Sequence, residues 1–254
     1  MEIQEKTAFV TGAASGLGLA ATRALVDSGA KVLMFDRDEE RLVEAAASVA
    51  GEVAWQAGDI TDEQSVQRAI DSAIQKFGGL HININCAGIG GAAKTVGRDG
   101  AMPLDMFRRI VDVNLIGTFN VLRLCAAAMC QRELEDDADR GVIINVASVA
   151  AFDGQRGQAA YSAAKGGLVG MTLPIARDLA REQIRIMTVA PGVFSTPMMQ
   201  AAPEQVRDAL VQSIQYPKRM GLPEEFADLA LSIVRNRYLN GEVIRLDGGV
   251  RMPP

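Results

Sequence analysis

The feature that most limits how this chain can fold is a glycine-rich turn between a strand and a helix. Thr7-Ala-Phe-Val-Thr11 is a short apolar run, Gly12-Ala-Ala-Ser-Gly16-Leu-Gly18 follows it, and an alanine- and leucine-rich helical segment continues to about Ser28. Such a turn gathers backbone N–H groups at a helix N-terminus, where partial positive charge favours a pyrophosphate. Gly12, Gly16 and Gly18 permit the tight turn and the close approach of an anion. Their spacing is G-x-x-x-G-x-G rather than the commoner G-x-G-x-x-G, and no Gly-Lys-Ser/Thr makes it a nucleoside triphosphate loop. The competing reading is a glycine-rich helix start with no ligand.

Strands and helices then alternate. Lys31 to Asp36 reads as a strand, Arg37 to Ala50 as a helix, Val53-Ala-Trp55 as a strand, Asp62 to Phe77 as a helix and His81 to Asn85 as strand four. Gly88 to Pro103 is an irregular, glycine-rich loop, and Leu104 to Gln131 a long helix. Strand five is Val142 to Ala147; a helix through Tyr161 reaches about Arg181, with a kink expected at Pro174. Strand six is Ile184 to Ala190, the segment to Pro217 reads as a mobile cover, and a helix (Pro223 to Arg235) and a strand (Glu242 to Leu246) end the pattern. Alternation of this kind implies βαβ units and a doubly wound parallel sheet, and 254 residues suit one such domain over residues 1–254.

Two acids extend the cofactor reading. Asp36 closes strand two, where a carboxylate accepts hydrogen bonds from a ribose diol and repels a 2′-phosphate, so NAD is expected rather than NADP. Its alternative role is a helix N-cap. Asp59 and Ile60, after strand three, are placed beside an adenine, with Asp59 or Asp62 as a simple helix start for the alternative.

The chemistry is carried further along. Tyr161 and Lys165 lie four residues apart and share a helix face, thirteen and seventeen residues beyond Ser148 at the end of strand five. A phenol ionises near pH 10, so as a base near neutrality it needs a cation such as Lys165 beside it. Ser148 is the candidate to hold a substrate oxygen, Asn114 to fix a water in a relay to Lys165, and Gln155 to touch substrate. The alternatives are an ordinary amphipathic pair for Tyr161 and Lys165, and a helix Asn bonding backbone or water for Asn114.

Together, Thr11-Gly-Ala-Ala-Ser-Gly-Leu-Gly18, Asn85-Cys-Ala-Gly88, Asn114, Ser148, Tyr161-x-x-x-Lys165 and Pro191-Gly192 resemble the short-chain dehydrogenase/reductase family over nearly the whole chain. Asp112-Val-Asn-Leu115 and Gly157-Gln-Ala-Ala-Tyr-Ser-Ala163 are similar to members that oxidise short-chain 3-hydroxyacyl-CoA. The resemblance implies a Rossmann fold with strand order 3-2-1-4-5-6-7 and helices on both faces, NAD dependence, and reversible hydride transfer with Tyr161 as general base. It also implies a homotetramer, and cofactor contacts from Ser15, Leu17, Cys86, Ala87, Gly88, Phe194 and Thr196. The family's usual Asn-Asn-Ala-Gly is Asn85-Cys-Ala-Gly88 here, which sets Cys86 beside the cofactor without a catalytic part. Hydroxysteroids or other secondary alcohols are the alternative substrates. A scaffold role in an RNA-processing complex, implied by the same resemblance, is the alternative of a different class.

Composition restricts the remaining classes. A net charge of −5 gives no support to direct nucleic-acid binding. Three cysteines in apolar context (Cys86, Cys125, Cys130), no basic-then-apolar start and no run of eighteen apolar residues lead us to expect a cytoplasmic protein that needs no membrane. His81 is the sole histidine and is read as a strand residue, so no metal is expected. Phe194, Met198 and Met199 could line an acyl pocket, Lys94, Arg98, Lys218 and Arg219 could meet CoA phosphates, and the charged stretch Arg132 to Arg140 reads as a solvated loop.

Overall fold

The computed structural model describes residues 1–133 and 139–254. Seven strands, β1 (Thr7–Thr11), β2 (Lys31–Asp36), β3 (Val53–Ala57), β4 (Ile82–Asn85), β5 (Gly141–Val146), β6 (Ile184–Pro191) and β7 (Val243–Leu246), pair in parallel in the order β3-β2-β1-β4-β5-β6-β7. Every residue of β1, β4, β5 and β6 is buried, as the central strands of a sheet covered on both faces must be.

The helices are α1 (Gly16–Asp27), α2 (Glu39–Ala47), α3 (Glu63–Phe77), α4 (Leu104–Val111), α5 (Thr118–Cys130), α6 (Ala159–Leu179), α7 (Pro197–Gln200), α8 (Glu204–Ser213) and α9 (Pro223–Arg235). Side chains alternate across the sheet with the period of a strand. Ala8, Val10, Ile82, Ile84 and Ile144 pack with Leu25 of α1, Leu42 of α2 and Phe226 of α9. Phe9, Leu33 and Ile143 point the other way, to Val66 and Ile70 of α3, Leu122 and Cys125 of α5 and Ile175 of α6. The order reverses between β1 and β4, so the loops after their carboxyl ends part there, at the place where open α/β sheets bind ligands.

Several expectations change in detail. The long helix is interrupted by a π-helical turn, Asp112–Gly117, between α4 and α5. By length and composition Leu104–Cys130 could cross a bilayer; α5 packs on α3, β4 and β5 with Val121, Cys125 and Met129 fully buried, which is the packing of a core helix. The helix through Pro174 runs unbroken to Leu179. The loop from Gly88 contains a small antiparallel hairpin, Val96–Gly97 with Gly100–Ala101. The cover carries two helices, α7 and α8.

The charged stretch is not simply a solvated loop. Residues 134–138 fall outside the described residues, but Asp139 is partly buried, its side chain 9% exposed, and paired with Arg185 at 3.1 Å and Arg237 at 3.2 Å. Arg185 in turn donates to the carbonyls of Ile233, Val234 and Leu239, so a buried guanidinium supplies donors that the end of α9 lacks.

Candidate active site

A cavity of about 510 Å³ runs along the carboxyl ends of the strands. One half is built from backbone. Gly12 has φ +66°, and a Cβ there would lie 2.7 Å from Ala87 N; a Cβ on Gly18 would lie 2.2 Å from Gly12 O. Both positions therefore exclude any side chain, and β1, α1 and the loop after β4 meet main chain to main chain. Ser15 is the N-cap of α1 in extended conformation (φ −163°) with no side-chain cap bond, and Gly16, Leu17 and Gly18 line the cavity. First-turn N–H groups are thus offered to the cavity instead of to a capping side chain.

Asp36 also lines the cavity and is not the helix cap. Asp38 caps α2 by accepting from Arg41 N at 3.2 Å, while Asp36 Oδ2 accepts from Ala14 N at 3.1 Å and Oδ1 from Asp38 N at 3.2 Å. Its carboxylate is thereby tied to the glycine turn. Asp62, not Asp59, caps α3; Asp59 accepts from Thr61 N and lines the cavity with Ile60. Cys86, Ala87, Gly88, Phe194 and Thr196 line it too. The narrow floor, the offered N–H groups and the acid beyond them fit a dinucleotide.

The other half is chemical. Ser148 lies just beyond β5, its Oγ accepting from Ala150 N at 3.1 Å, and it lines the cavity with Tyr161. Lys165 is 5 % exposed, and its ammonium donates to Val146 O at 2.8 Å and sits 5.7 Å from the Tyr161 ring centroid. Burial pushes the Lys165 ammonium down to about 8. Burial also raises the Tyr161 phenol, and the Ser148 hydrogen bond works against that rise.

Asn114 occupies the π-helical turn, where the usual helix bonding is displaced. Its Nδ2 donates to Ile110 O (3.0 Å) and Ile89 O (2.9 Å), and its Oδ1 accepts from Ile89 N (3.2 Å). The side chain therefore repairs a carbonyl within its own helix and pins the loop after β4. A Cβ on Gly88 would lie 2.6 Å from Asn114 Oδ1 and 3.5 Å from Lys165 Nζ, so both residues close on that glycine.

Not every expectation falls in the cavity. Gln155 donates from Nε2 to Pro253 O at 3.2 Å and is not a lining residue; Gln158, one residue before α6, lines the cavity. The turn geometry accounts for this, since Gln155 N is occupied by Gln158 Oε1 at 2.8 Å. Phe194, Met198 and Met199 all line the cavity, joined by Met252, which strand and helix periodicity did not single out. Lys94 and Arg98 are exposed, Lys218 bonds Gln212 O, and Arg219 is engaged by both carboxylate oxygens of Glu225. His81 accepts from Thr7 N, and burial pushes it down to about 3. Burial pushes the Cys86 thiol up to about 12, against the pull of Lys165.

The pattern of the short chain dehydrogenase family matches residues 6–207. The 3-hydroxyacyl-CoA dehydrogenase type-2 of Bos taurus is 51% identical over 249 residues, 97% of this chain and 95% of that protein. The protein of the same description from Drosophila melanogaster is 49% identical over 99% of this chain and 100% of its own length. Among solved structures, 3-hydroxyacyl-CoA dehydrogenase type-2 from Mycobacterium avium superposes with a TM-score of 0.94 at 38% identity, covering 98% of this chain and 97% of that one. The chain belongs to the short-chain dehydrogenase family. It is an oxidoreductase that acts on a small molecule with a nicotinamide cofactor.

Proposed function

We propose that the protein oxidises short-chain 3-hydroxyacyl-CoA to 3-oxoacyl-CoA with NAD, reversibly, and that Tyr161 is the general base. The observation that carries the reading is the meeting of Ser148, Tyr161 and a buried Lys165, tied to Val146 O, in one cavity with the glycine turn and Asp36. The adenosine end of the cofactor is assigned to Asp36, Asp59 and Ile60, its pyrophosphate to the turn at Gly12–Gly18, and the far end to Lys165, Phe194 and Thr196. When bound there, the nicotinamide would supply the acceptor for the hydride that leaves the carbinol carbon.

Everything else is work for protein groups. Ser148 holds the substrate oxygen at the point where the Tyr161 oxygen lies. Tyr161 removes the hydroxyl proton, and the Lys165 ammonium, poorly solvated in its pocket, stabilises the phenolate that does so. Asn114 fixes the loop at Ile89 and keeps the approach to Lys165 in shape. Asp36 disfavours a 2′-phosphate because a second negative group would face an acid already oriented by two N–H donors. The assembly in this reading is a homotetramer, which sedimentation equilibrium checks.

The test is initial-rate kinetics of the pure protein on 3-hydroxybutyryl-CoA and on a hydroxysteroid, each with NAD and with NADP. The expected result is NADH formation from the thioester at a kcat/KM well above that for the steroid and well above that with NADP. A preference for the steroid, or for NADP, overturns that part of the reading.

A further inference from the structure

A satellite core lies outside the sheet, over the chemical end of the cavity. Val149, Val193, Leu210, Ile214 and Val250 are buried together, with Met252 packed against them. Met252 also lines the cavity, and the cluster it packs against contains Val149, the residue after Ser148, which sets it toward the Ser148 end.

The segment that bears Met252 has no regular structure, yet it is held by a set of charged and backbone contacts centred on Arg245 of β7. Arg245 Nη2 donates to Asp153 Oδ2 at 2.6 Å and to Val250 O at 3.0 Å, and Nε donates to Asp247 Oδ2 at 2.8 Å. Its guanidinium lies 5.2 Å from the Phe152 ring centroid. Arg245 first, and the Met252 backbone beside it, hold the Asp153 carboxyl below its usual range. Arg245 and Asp153 side chains are only about one-fifth exposed, at 21% and 20%, so the pair is less screened than a surface pair. Asp153 stands on the loop that follows Ser148. One guanidinium thus joins the loop of the catalytic serine to the segment carrying Met252.

We propose that Met252 sets the length of substrate chain the cavity admits, and that Arg245 is a positioning residue that holds Met252 there through Asp153. The proposal rests on the reading of the site as one that oxidises a secondary alcohol. A thioether against the reacting end limits the room for methylenes beyond the carbinol carbon, and one methylene in an apolar pocket alters kcat/KM by about tenfold or more. Arg245 touches no reacting atom in this scheme, so its effect on selectivity must pass through Met252.

The experiment measures kcat/KM for four-, six- and eight-carbon members of two series, 3-hydroxyacyl-CoA thioesters and 2-alkanols, together with the Kd for NADH. In whichever series the wild type oxidises, Met252→Ala is expected to raise the eight-carbon to four-carbon ratio about tenfold with NADH affinity unchanged. Arg245→Met is expected to raise the same ratio in the wild-type background and to alter it less than about twofold in the Met252→Ala background, the non-additivity of residues acting as a unit. Asp153→Asn, which keeps the side-chain volume, reads the same contact if Arg245→Met does not fold. An active wild type whose ratio is unmoved by Met252→Ala overturns the proposal alone, as does an Arg245→Met effect of equal size in both backgrounds. A wild type inactive on both series overturns the proposed function and this proposal with it.

Discussion

The two halves of the cavity are built by different means. The cofactor half is made largely of main chain pressed on main chain, with Gly12 and Gly18 at distances that leave no room for a Cβ. The substrate half is made of side chains on irregular segments, Phe194, Met198, Met199 and Met252, backed by a satellite core of five buried residues. A wall of backbone admits few sequences, because only glycine supplies the conformation and the closeness. A wall of thioethers and rings admits many, because similar volume can be reached in several ways. The first half therefore defines the reaction's cofactor class, and the second is where members of the family can differ in substrate.

The comparison breaks most sharply at the junction between the halves. Lys165→Met is expected to lower kcat by about 10² to 10⁴ and to move the basic inflection of the pH–rate profile upward, because the phenolate loses its cation. The same variant carries a stability signature. Folded Lys165 titrates near 8 against 10.5 for the free group, so its burial opposes folding in full below pH 8 and less as pH rises toward 10.5. Wild type is thus expected to gain stability relative to Lys165→Met between those values, as urea unfolding at several pH values would read.

Within the cofactor half, Gly18→Ala is expected to cost about 2 kcal/mol or more of stability and to weaken NADH binding, because its Cβ would meet Gly12 O at 2.2 Å. Calorimetry and fluorescence titration check the two effects. Asn114→Ala is expected to cost about 2 kcal/mol by leaving Ile89 and Ile110 backbone groups without partners, seen as a lower urea midpoint at unchanged m. Asp36→Asn keeps an acceptor for the turn while removing the charge, and is expected to shift the NAD to NADP ratio of kcat/KM about tenfold toward NADP. At the rim of the substrate half, Arg219→Ala is expected to change KM for a CoA thioester less than about twofold, since that guanidinium is exposed and already engaged by Glu225.

What the sequence made legible follows the same division. The grouping of Gly12, Asp36, Ser148, Tyr161 and Lys165 could be anticipated because it rests on local turns, strand ends and an i, i+4 spacing, whereas the strand order followed from the family resemblance alone. Asp36 had a helix cap as its alternative role, and only the bond from Arg41 N to Asp38 decides against it. The π-helical turn at Asn114 left no mark in the apolar periodicity, although a mid-helix Asn at a buried position was the visible hint. Gln155, Asp139 and Met252 were misplaced or missed because their partners are distant in the chain: Pro253, Arg185 and the cluster around Val149 and Val193 respectively. Contacts of that kind are decided by packing, which composition and spacing do not encode one residue at a time.

On the proposed reading, Tyr161 moves the proton in a cavity whose backbone-built cofactor half does not depend on its hydroxyl. The most direct measurement is Tyr161→Phe, assayed for NADH formation from 3-hydroxybutyryl-CoA and, in parallel, for NADH affinity by fluorescence titration. The account predicts a loss of about 10² to 10⁴ in kcat with the NADH Kd within about threefold of wild type. Near-normal turnover by that variant would contradict it.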